Sequence, residues 1–327
     1  MKLLIAYDGS GCAEAAIDDL ANAGLPETGE AEVIAVAEVW LPPPDPDDAA
    51  SDDETAAFLD DATAKYRKHG ERLLGEAEMY ARHARVRTQA ALPGWTVTST
   101  ATYGSPAWEI LNRADEFDTD LIVVGSHGQS ALSRLILGSI SQKVLTEARC
   151  SVRVARGKIE IDPTPQRIVI AFDGSNGAKS AVEQVASRHW PPGSEVRLMT
   201  VSDPIAPSAI GRFVPPIVHV IEEINVSENT LLEKQASKAI EELGLAGLRP
   251  EFRIFPGNPK TVLVEEAENW NSDCIFVGAN SFGSNFERFL IGSTSAAVAA
   301  RAHCSVEVVR TRRNAFDPVH RSNGRNR

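Results

Sequence analysis

The chain of 327 residues is longer than one typical domain of about 100–200 residues, so its length predicts two domains. Apolar residues make up 43% of the chain and charged residues 24%, values that are typical of a globular protein and exclude a disordered chain. The formal net charge of −12 repels nucleic-acid phosphates and argues against nucleic-acid binding, but it leaves room for a small anion site made of backbone N–H groups.

The start of the chain and its cysteines indicate the compartment. The apolar start Met1–Ala6 stops at Tyr7-Asp8-Gly9, which is too short for a signal peptide, and no stretch approaches the roughly 18 apolar residues of a membrane span. The cysteines form no CxxC pair, which argues against a zinc site or a disulfide framework. They are Cys12, Cys150, Cys274 and Cys304. We therefore expect a cytoplasmic protein that does not bind a membrane.

Short apolar runs alternate with helical patterns in the first half of the chain. Strands that alternate with helices indicate βαβ units and a parallel sheet, and continuously apolar runs such as Leu121–Val124 are typical of strands covered on both faces. The predicted strands are Lys2–Tyr7, Glu32–Val39, Thr96–Thr102, Leu121–Val124 and Ser151–Ala155, and the predicted helices are Gly11–Ala23, Glu54–Ala91, Pro106–Phe117 and Ser139–Glu147.

The second half of the chain repeats the first. The segment Ala148–Arg156, which reads ARCSVRVAR, returns 154 residues later as AHCSVEVVR. The start AYDGS at Ala6–Ser10 returns as AFDGS at Ala171–Ser175. We interpret this similarity as two copies of one domain, at residues 1–156 and 167–310.

Both copies end on a short apolar strand, Ser151–Ala155 and Ser305–Val309. An unpaired apolar edge is an aggregation liability, so we expect the two strands to pair and form an internal pseudo-dimer. Whether two chains also form a homodimer is left open. The polar tail at 311–327 lacks periodicity, and we expect it to be disordered.

A glycine-rich loop follows the predicted strand Leu121–Val124. Gly125 and Gly128 allow positive φ angles and close backbone approach, and successive N–H groups in such a loop can form an anion-binding nest. Further on, Gly138-Ser139 opens a helix, whose free N–H groups and positive dipole end favour an anion. Ligands of open parallel sheets bind beyond the carboxyl ends of the strands, so this loop and Asp8 together predict a phosphate site.

Glycine pairs after a strand are also common as simple turns, and the chain has neither a GxxxxGK[ST] P-loop nor a GxGxxG motif after its first strand. The spacing Gly125-x2-Gly128-x9-Gly138-Ser139, with Asp8-Gly9-Ser10 after the first strand, resembles the ATP-binding class of the universal stress protein family. This resemblance covers both copies. It implies two tandem open five-stranded parallel-sheet α/β domains of adenine-nucleotide-hydrolase-like type, with flavodoxin-like or Rossmann-like layering.

The resemblance also implies an ATP site in the first copy. The residues that would carry the ribose and phosphates are Gly125, Ser126, His127, Gly128, Gly138, Ser139, Ile140 and Ser141. Asp8 would face the ribose or adenine, and the backbone of Ala6 would lie against the base. Glu38, in the predicted second strand, falls where the family holds adenine through the backbone. Mg²⁺ or Mn²⁺ would be bound through the phosphates, and no side chain is assigned to the metal.

The second copy departs from this pattern in its loop, which is one residue longer and reads Asn280-Ser281-Phe282-Gly283. Ser281 replaces the second glycine, and the bulky Phe282 could fill the phosphate space. Whether this copy binds nucleotide is left open, and we expect the first copy to bind more tightly. The positions that match the first copy are Asp173, Gly278, Gly292 and Ser293.

The function expected from these residues is that of a stress-response regulatory or signalling module that binds ATP. No positioned base or nucleophile accompanies the loop, so no catalytic residue is assigned, although slow ATP hydrolysis is left open. The alternative is a scaffold that works without nucleotide through an unidentified protein partner. A PP-loop ATP pyrophosphatase is disfavoured, since Asp8-Gly9-Ser10-Gly11 stands in place of a Ser-Gly-Gly-x-Asp-Ser loop.

Overall fold

The structure, a computed structural model, describes residues 1–39, 54–128, 137–156, 164–202, 215–279 and 291–310. Strands alternate with helices throughout these ranges, which confirms the predicted α/β class. Within them, no helix has both the length and the apolar character that a membrane span requires. The tail at 311–327 lies outside the described residues.

The two copies contain the same series of elements. In the first copy the strands are β1 (Lys2–Ala6), β2 (Glu30–Ala37), β3 (Thr96–Tyr103), β4 (Leu121–Gly125) and β5 (Ser151–Ala155), and the helices are α1 (Gly11–Asp18), α2 (Glu54–Ala91), α3 (Pro106–Phe117) and α4 (Ser139–Glu147). In the second copy the strands are β6 (Arg167–Ala171), β7 (Glu195–Ser202), β8 (Arg249–Pro256), β9 (Cys274–Gly278) and β10 (Ser305–Val309), and the helices are α5 (Asn176–Ala186), α6 (Pro215–Leu245), α7 (Pro259–Asn269) and α8 (Ser293–Arg301).

Several predicted boundaries were wrong. The strand β1 ends one residue earlier than predicted, β3 and β4 end one residue later, and β2 begins two residues earlier. Two further differences have a clear physical cause. The first helix ends at Asp18, and Asp19–Asn22 form a 3-10 turn, the tighter geometry that helices often adopt at their ends. The second strand ends at Ala37, because the Val39 N–H donates back to the Ala37 carbonyl at 2.8 Å and turns the chain out of the sheet. Glu38 therefore lies just beyond the strand in which it was predicted.

All ten strands form one sheet in the order β3-β2-β1-β4-β5-β10-β9-β6-β7-β8. Within each copy the five strands are parallel, which confirms the tandem five-stranded arrangement. In the first copy the chain passes from β1 to β2 on one side, whereas β4 pairs with β1 on the other side. The topological switch point, where open α/β sheets bind their ligands, thus lies between β1 and β4.

The copies join through their last strands. β5 and β10 pair in antiparallel fashion, with Val152 opposite Val308 and Val154 opposite Val306. Because the pairing is antiparallel, the carboxyl ends of the first copy's strands and those of the second copy's strands lie on opposite edges of the sheet. The two glycine loops therefore also lie at opposite edges.

Helices cover both faces of the sheet. On one face α3, α4, α7 and α8 pack over a core that continues across the junction, where Val154 and Val306 belong to the same buried cluster. On the other face each copy has its own core, made by α1 and α2 in the first copy and by α5 and α6 in the second. The helices α4 and α8, which follow the two glycine loops, therefore share one continuous core.

Candidate functional site

The candidate site begins with a tight turn after β1. The Asp8 Oδ1 atom accepts the Ser10 N–H at 3.0 Å, and Ser10 Oγ accepts the Ala13 N–H at 3.2 Å, which caps α1. Gly9 has a φ of +76°, a left-handed conformation that side chains other than glycine rarely adopt. The turn thus fixes the position of Asp8, and the Ser10 side chain caps the N-terminus of α1.

Tyr80, on α2, packs against this turn and was not predicted from the sequence. A Cβ atom on Gly9 would lie 2.8 Å from the Tyr80 ring, and the ring stands edge-on to Tyr7 with centroids 6.4 Å apart. Burial raises the pKa of Tyr7, against the lowering effect of Arg87. No local sequence signal marks Tyr80, because its position depends on how the 38-residue helix lies on the sheet.

The second part of the site is the loop between β4 and α4. The Gly138 N–H donates to the Ser126 carbonyl at 2.8 Å, and the Ser141 hydroxyl donates to the Gly125 carbonyl at 2.7 Å. These two bonds fasten the first turn of α4 against the end of β4. The structure therefore brings together four of the residues singled out in the sequence.

The start of α4 lacks a side-chain cap. Its N-cap residue is Gly138, in extended conformation with φ −62°, and no side chain there accepts an N–H of the first turn. Ser139 follows at the exposed first helical position. A helix N-terminus carries a positive partial charge and unsatisfied N–H groups, so this end of α4 can bind an anion, in contrast to the capped end of α1.

The three glycines of the motif have different roles. A Cβ atom on Gly125 would lie 2.8 Å from the backbone of Cys12, so this glycine allows α1 to pack against β4. A Cβ atom on Gly128 would lie 2.9 Å from Asp8 Oδ2, which places the Asp8 carboxylate beside the loop. On Gly138 a Cβ atom would meet ordinary contacts with the described residues, 3.4 Å at the nearest. None of the three has a positive φ, so that part of the sequence argument was wrong.

His127 is 9% exposed and lies within the loop. Its Nδ1 atom is 3.0 Å from Ser126 Oγ, and its Nε2 atom has no hydrogen-bond partner among the described residues. Burial lowers the pKa of His127, and the positive charge of Arg156 lowers it further. Both effects favour the neutral imidazole, which suits a hydrogen-bonding role.

Arg156 and Cys12 adjoin the loop, and Arg156 was not assigned to the site from the sequence. The Ser126 hydroxyl donates to Cys12 Sγ at 3.8 Å. Arg156 donates from Nη1 to the Ala302 carbonyl at 2.8 Å, and thus reaches the end of α8 in the second copy. Arg156 and Arg310 occupy equivalent positions in the two copies. This match is the signal in the sequence that could have drawn attention to Arg156.

The remaining predicted residues lie at the same edge of the sheet or on α4. Ala6 is the half-buried last residue of β1, and Ile140 is half-buried in the first turn of α4. Glu38 is exposed beyond the end of β2, next in the sheet to β1. The edge that carries Asp8 and Gly125 thus also carries Glu38.

The second copy has the same hydrogen bonds. Asp173 Oδ1 accepts the N–H two residues further on at 2.9 Å. The Ser295 hydroxyl donates to the Gly278 carbonyl at 2.7 Å, and the Gly292 N–H donates to the Ala279 carbonyl at 2.6 Å. The first turn of α8 is likewise held against the end of β9, and its N-cap glycine provides no side chain.

Two features separate the copies. Ala279 stands where the first copy has Ser126, so the second copy lacks that hydroxyl. At Gly278 the copies agree, because the backbone of Gly177 on α5 fills the space beside this glycine as the backbone of Cys12 on α1 does beside Gly125. Ser293 is exposed at the start of α8, as Ser139 is on α4. The altered residues 280–283 lie outside the described residues.

In the part of the chain that the structure describes, the side chains that commonly bind metal ions are not clustered. No three His, Cys, Asp or Glu side chains there form a group that could hold a metal ion. Burial raises the pKa of Cys304 to about 11 and that of Cys150 to about 12, so both thiols stay protonated at neutral pH. Cys304 is buried in the core that the two copies share, and Cys150 packs half-buried against it.

Comparison with known proteins identifies relatives over nearly the whole chain. The sequence profile described as the universal stress protein family matches residues 1–156 and 164–310. The universal stress protein YxiE of Bacillus subtilis is 31% identical over 167 residues, which are 47% of this chain and 98% of that protein. Universal stress protein Rv2005c of Mycobacterium tuberculosis is 25% identical over 228 residues, which are 66% of this chain and 69% of that protein.

The tandem arrangement also has a counterpart among solved structures. The crystal structure of a universal stress protein from Archaeoglobus fulgidus aligns with a TM-score of 0.58 at 20% sequence identity. The alignment covers 94% of this chain and 96% of that chain. At this level of identity the similarity shows a shared fold over both copies.

Proposed function

Because the chain belongs to the universal stress protein family, we propose that its first copy binds ATP at the loop between β4 and α4, as part of a stress-response regulatory or signalling module. The observation that carries this proposal is the glycine-capped start of α4, fastened to Ser126 and Gly125 at the topological switch point of the sheet. It offers backbone N–H groups and a positive helix end where parallel α/β sheets bind ligands.

The space around Gly138 favours a phosphate group at this helix end. The described residues leave ordinary contact distances around a Cβ atom at this position, and its φ is negative, so neither its conformation nor its packing against those residues requires glycine. A phosphate that approaches the backbone closely would require it. The neutral His127, whose Nε2 has no partner among the described residues, would contribute a hydrogen bond to a phosphate oxygen.

The other predicted contacts fit the nucleoside part of ATP. The Asp8 carboxylate lies beside Gly128 and would accept hydrogen bonds from ribose hydroxyls. Ala6 ends β1 at the same edge, where its backbone would lie against the adenine. A Mg²⁺ or Mn²⁺ ion would be held by the phosphates. In this proposal the binding of ATP, with at most slow hydrolysis, controls the action of the module on a protein partner in the cytoplasm.

The second copy is proposed as a weaker site. It retains Asp173 and a glycine-capped helix, but it has lost the hydroxyl of Ser126 and has a longer loop. The positive φ that was expected of the second motif glycine is not observed at Gly128, so the replacement Ser281 carries no conformational penalty on that account. The expected difference between the copies therefore rests on the loop length and the lost hydroxyl.

Calorimetric titration of the full chain with ATP tests this proposal. Gly138→Asp places a negative charge where a phosphate is proposed, and it should weaken ATP binding by about a hundredfold, since contacts to charged groups are worth roughly 1.5–3 kcal/mol each. Gly292→Asp makes the same change at the equivalent position of the second copy and should leave the tight site intact. Equal ATP affinity in the wild type and in Gly138→Asp would refute the proposed site.

A further inference from the structure

The junction between the copies contains a buried pair of opposite charges. In the antiparallel pairing of β5 with β10, Arg153 lies directly opposite Glu307. Both side chains are 0% exposed, and Arg153 Nη1 is 3.5 Å from Glu307 Oε2. These residues are equivalent in the repeat, 154 positions apart, so the approximate two-fold axis that relates the copies passes between them.

Each residue of the pair has a second buried partner in its own copy. Arg153 donates to Asp19 Oδ2 from Nε at 2.5 Å and to Oδ1 from Nη2 at 3.0 Å. Glu307 Oε1 accepts from Arg188 Nη2 at 2.5 Å. Burial acts to lower the pKa of Arg153, but the larger combined effect of Asp19 and the other nearby anionic groups raises it. The junction is thus a row of four buried groups of alternating charge.

Apart from the central pair, the residues of β5 and β10 carry no charge, so charge at those positions does not distinguish one copy from the other. The residues around the central pair are the same in the two strands: Ser151, Val152 and Val154 in β5 match Ser305, Val306 and Val308 in β10. Such residues would pair equally well with a second copy of the same strand. The sign of the charge differs only at the central position.

Two arginines at the strand ends are likewise symmetric. Arg156 donates to the Ala302 carbonyl at 2.8 Å, at the end of α8, and Arg310 donates to the Leu145 carbonyl at 2.6 Å, near the end of α4. Each arginine crosses to the other copy and binds the carboxyl end of a helix, where a positive charge is favourable. These contacts hold the copies together without specifying which copy lies on the other side.

We propose that the charges of Arg153 and Glu307 make each last strand a selective surface, which fits the last strand of the other copy and rejects a second copy of itself. If two first copies paired in this geometry, Arg153 would face Arg153 in a fully buried position. If two second copies paired, Glu307 would face Glu307. Like charges at such a position are strongly unfavourable, because burial removes the water that would screen them.

The full chain allows a rejected pairing to be created within one molecule. Glu307→Arg places arginine on both sides of the axis, as two first copies would, although the new side chain then lies beside Arg188 rather than beside a second Asp19. Glu307→Gln is the matched control, since it keeps the shape of the side chain and one acceptor oxygen but removes its charge. Hydrogen exchange of the backbone amides in β5 and β10, measured by mass spectrometry, reports whether the junction is closed.

The proposal predicts that Glu307→Arg accelerates exchange in β5 and β10 by about a hundredfold, with a clearly smaller effect of Glu307→Gln, while β1 to β3 and β6 to β8 stay protected. Wild-type protection of β5 and β10 in Glu307→Arg would overturn it. Equal acceleration in the two variants would also overturn it, by showing that hydrogen bonding rather than charge sign matters. Loss of protection throughout both copies would overturn it as well, because the charge would then serve folding rather than partner choice.

Discussion

The backbone N–H of Gly138 donates to the carbonyl of Ser126 over 2.8 Å, which closes the loop after β4 onto the first turn of α4. This bond sets the direction in which the start of α4 faces. The Ser141 hydroxyl, in the first turn of α4, also donates to the Gly125 carbonyl and holds that turn to the end of β4. The same pair of bonds recurs in the second copy, at Gly292 and Ser295. The two copies therefore provide matched controls for one another.

Removal of the Ser141 hydroxyl should weaken both the fold and ATP binding. Ser141→Ala leaves the half-buried Gly125 carbonyl without its 2.7 Å donor, so the free energy of unfolding should fall by about 1 kcal/mol. ATP affinity should fall by about tenfold as the helix start loses its anchor. Ser295→Ala removes the equivalent bond and should cost similar stability without affecting the tight ATP site. Equal losses of ATP affinity in both variants would contradict the assignment to the first copy.

Alanine at two motif glycines should separate packing from binding. Gly125→Ala puts a Cβ atom 2.8 Å from the Cys12 backbone, so it should lower the free energy of unfolding by about 1–3 kcal/mol through overpacking. Gly138→Ala has room among the described residues and should cost less than about 1 kcal/mol, yet weaken ATP binding. Urea denaturation and calorimetry on the two variants measure both quantities. A Gly138→Ala variant with unchanged ATP affinity would show that no ligand approaches this glycine.

The buried His127 should make the protein less stable in acid. Its folded-state pKa lies below the ordinary value of 6.5, first through burial and then through Arg156, so its contribution is present above pH 6.5 and is lost as the pH falls below it. His127→Gln should therefore show a flatter decrease of the unfolding free energy below pH 6.5 than the wild type. Denaturant titrations between pH 5 and 7 measure this slope. Identical slopes in the two proteins would contradict a buried neutral histidine.

The buried thiol of Cys304 should make the protein less stable in alkali. Burial raises its pKa from 9.0 to about 11, so the folded state holds the proton more tightly than the unfolded state. The corresponding stability is complete below pH 9.0 and is lost as the pH rises through about 11. Cys304→Ala should reduce this alkaline decrease, measured as the unfolding free energy from pH 8 to 11. An unchanged decrease would assign it to other groups.

The sequence predicted the fold well where local signals are strong. The helix Pro106–Phe117 was predicted residue for residue, because proline marks its first turn and its apolar positions follow a helical period. The second strand was extended wrongly to Val39, since the turn that ends it at Ala37 depends on a backbone hydrogen bond rather than on residue type. Strand ends set by such bonds leave little trace in the sequence.

The sequence indicated the glycines that shape the loop of the candidate site, but it did not indicate the side chains that pack around the loop. Glycine spacing pointed to Gly125, Gly128 and Gly138, although Gly125 serves the close packing of α1 rather than a positive φ. Tyr80 lies on the long helix α2, and Arg156 directly follows β5. Both come close to the site only through tertiary packing, which the local sequence does not reveal. A repeat match indicated a constrained position for Arg156, but it did not indicate the role.

Native mass spectrometry of the full chain titrated with ATP tests the central proposal most directly, because it counts nucleotides on each molecule. The proposed difference between the copies predicts one ATP bound per chain at low nucleotide concentration, with a second bound only at higher concentration. A chain that keeps its nucleotide-free mass throughout the titration would contradict ATP binding by the first copy.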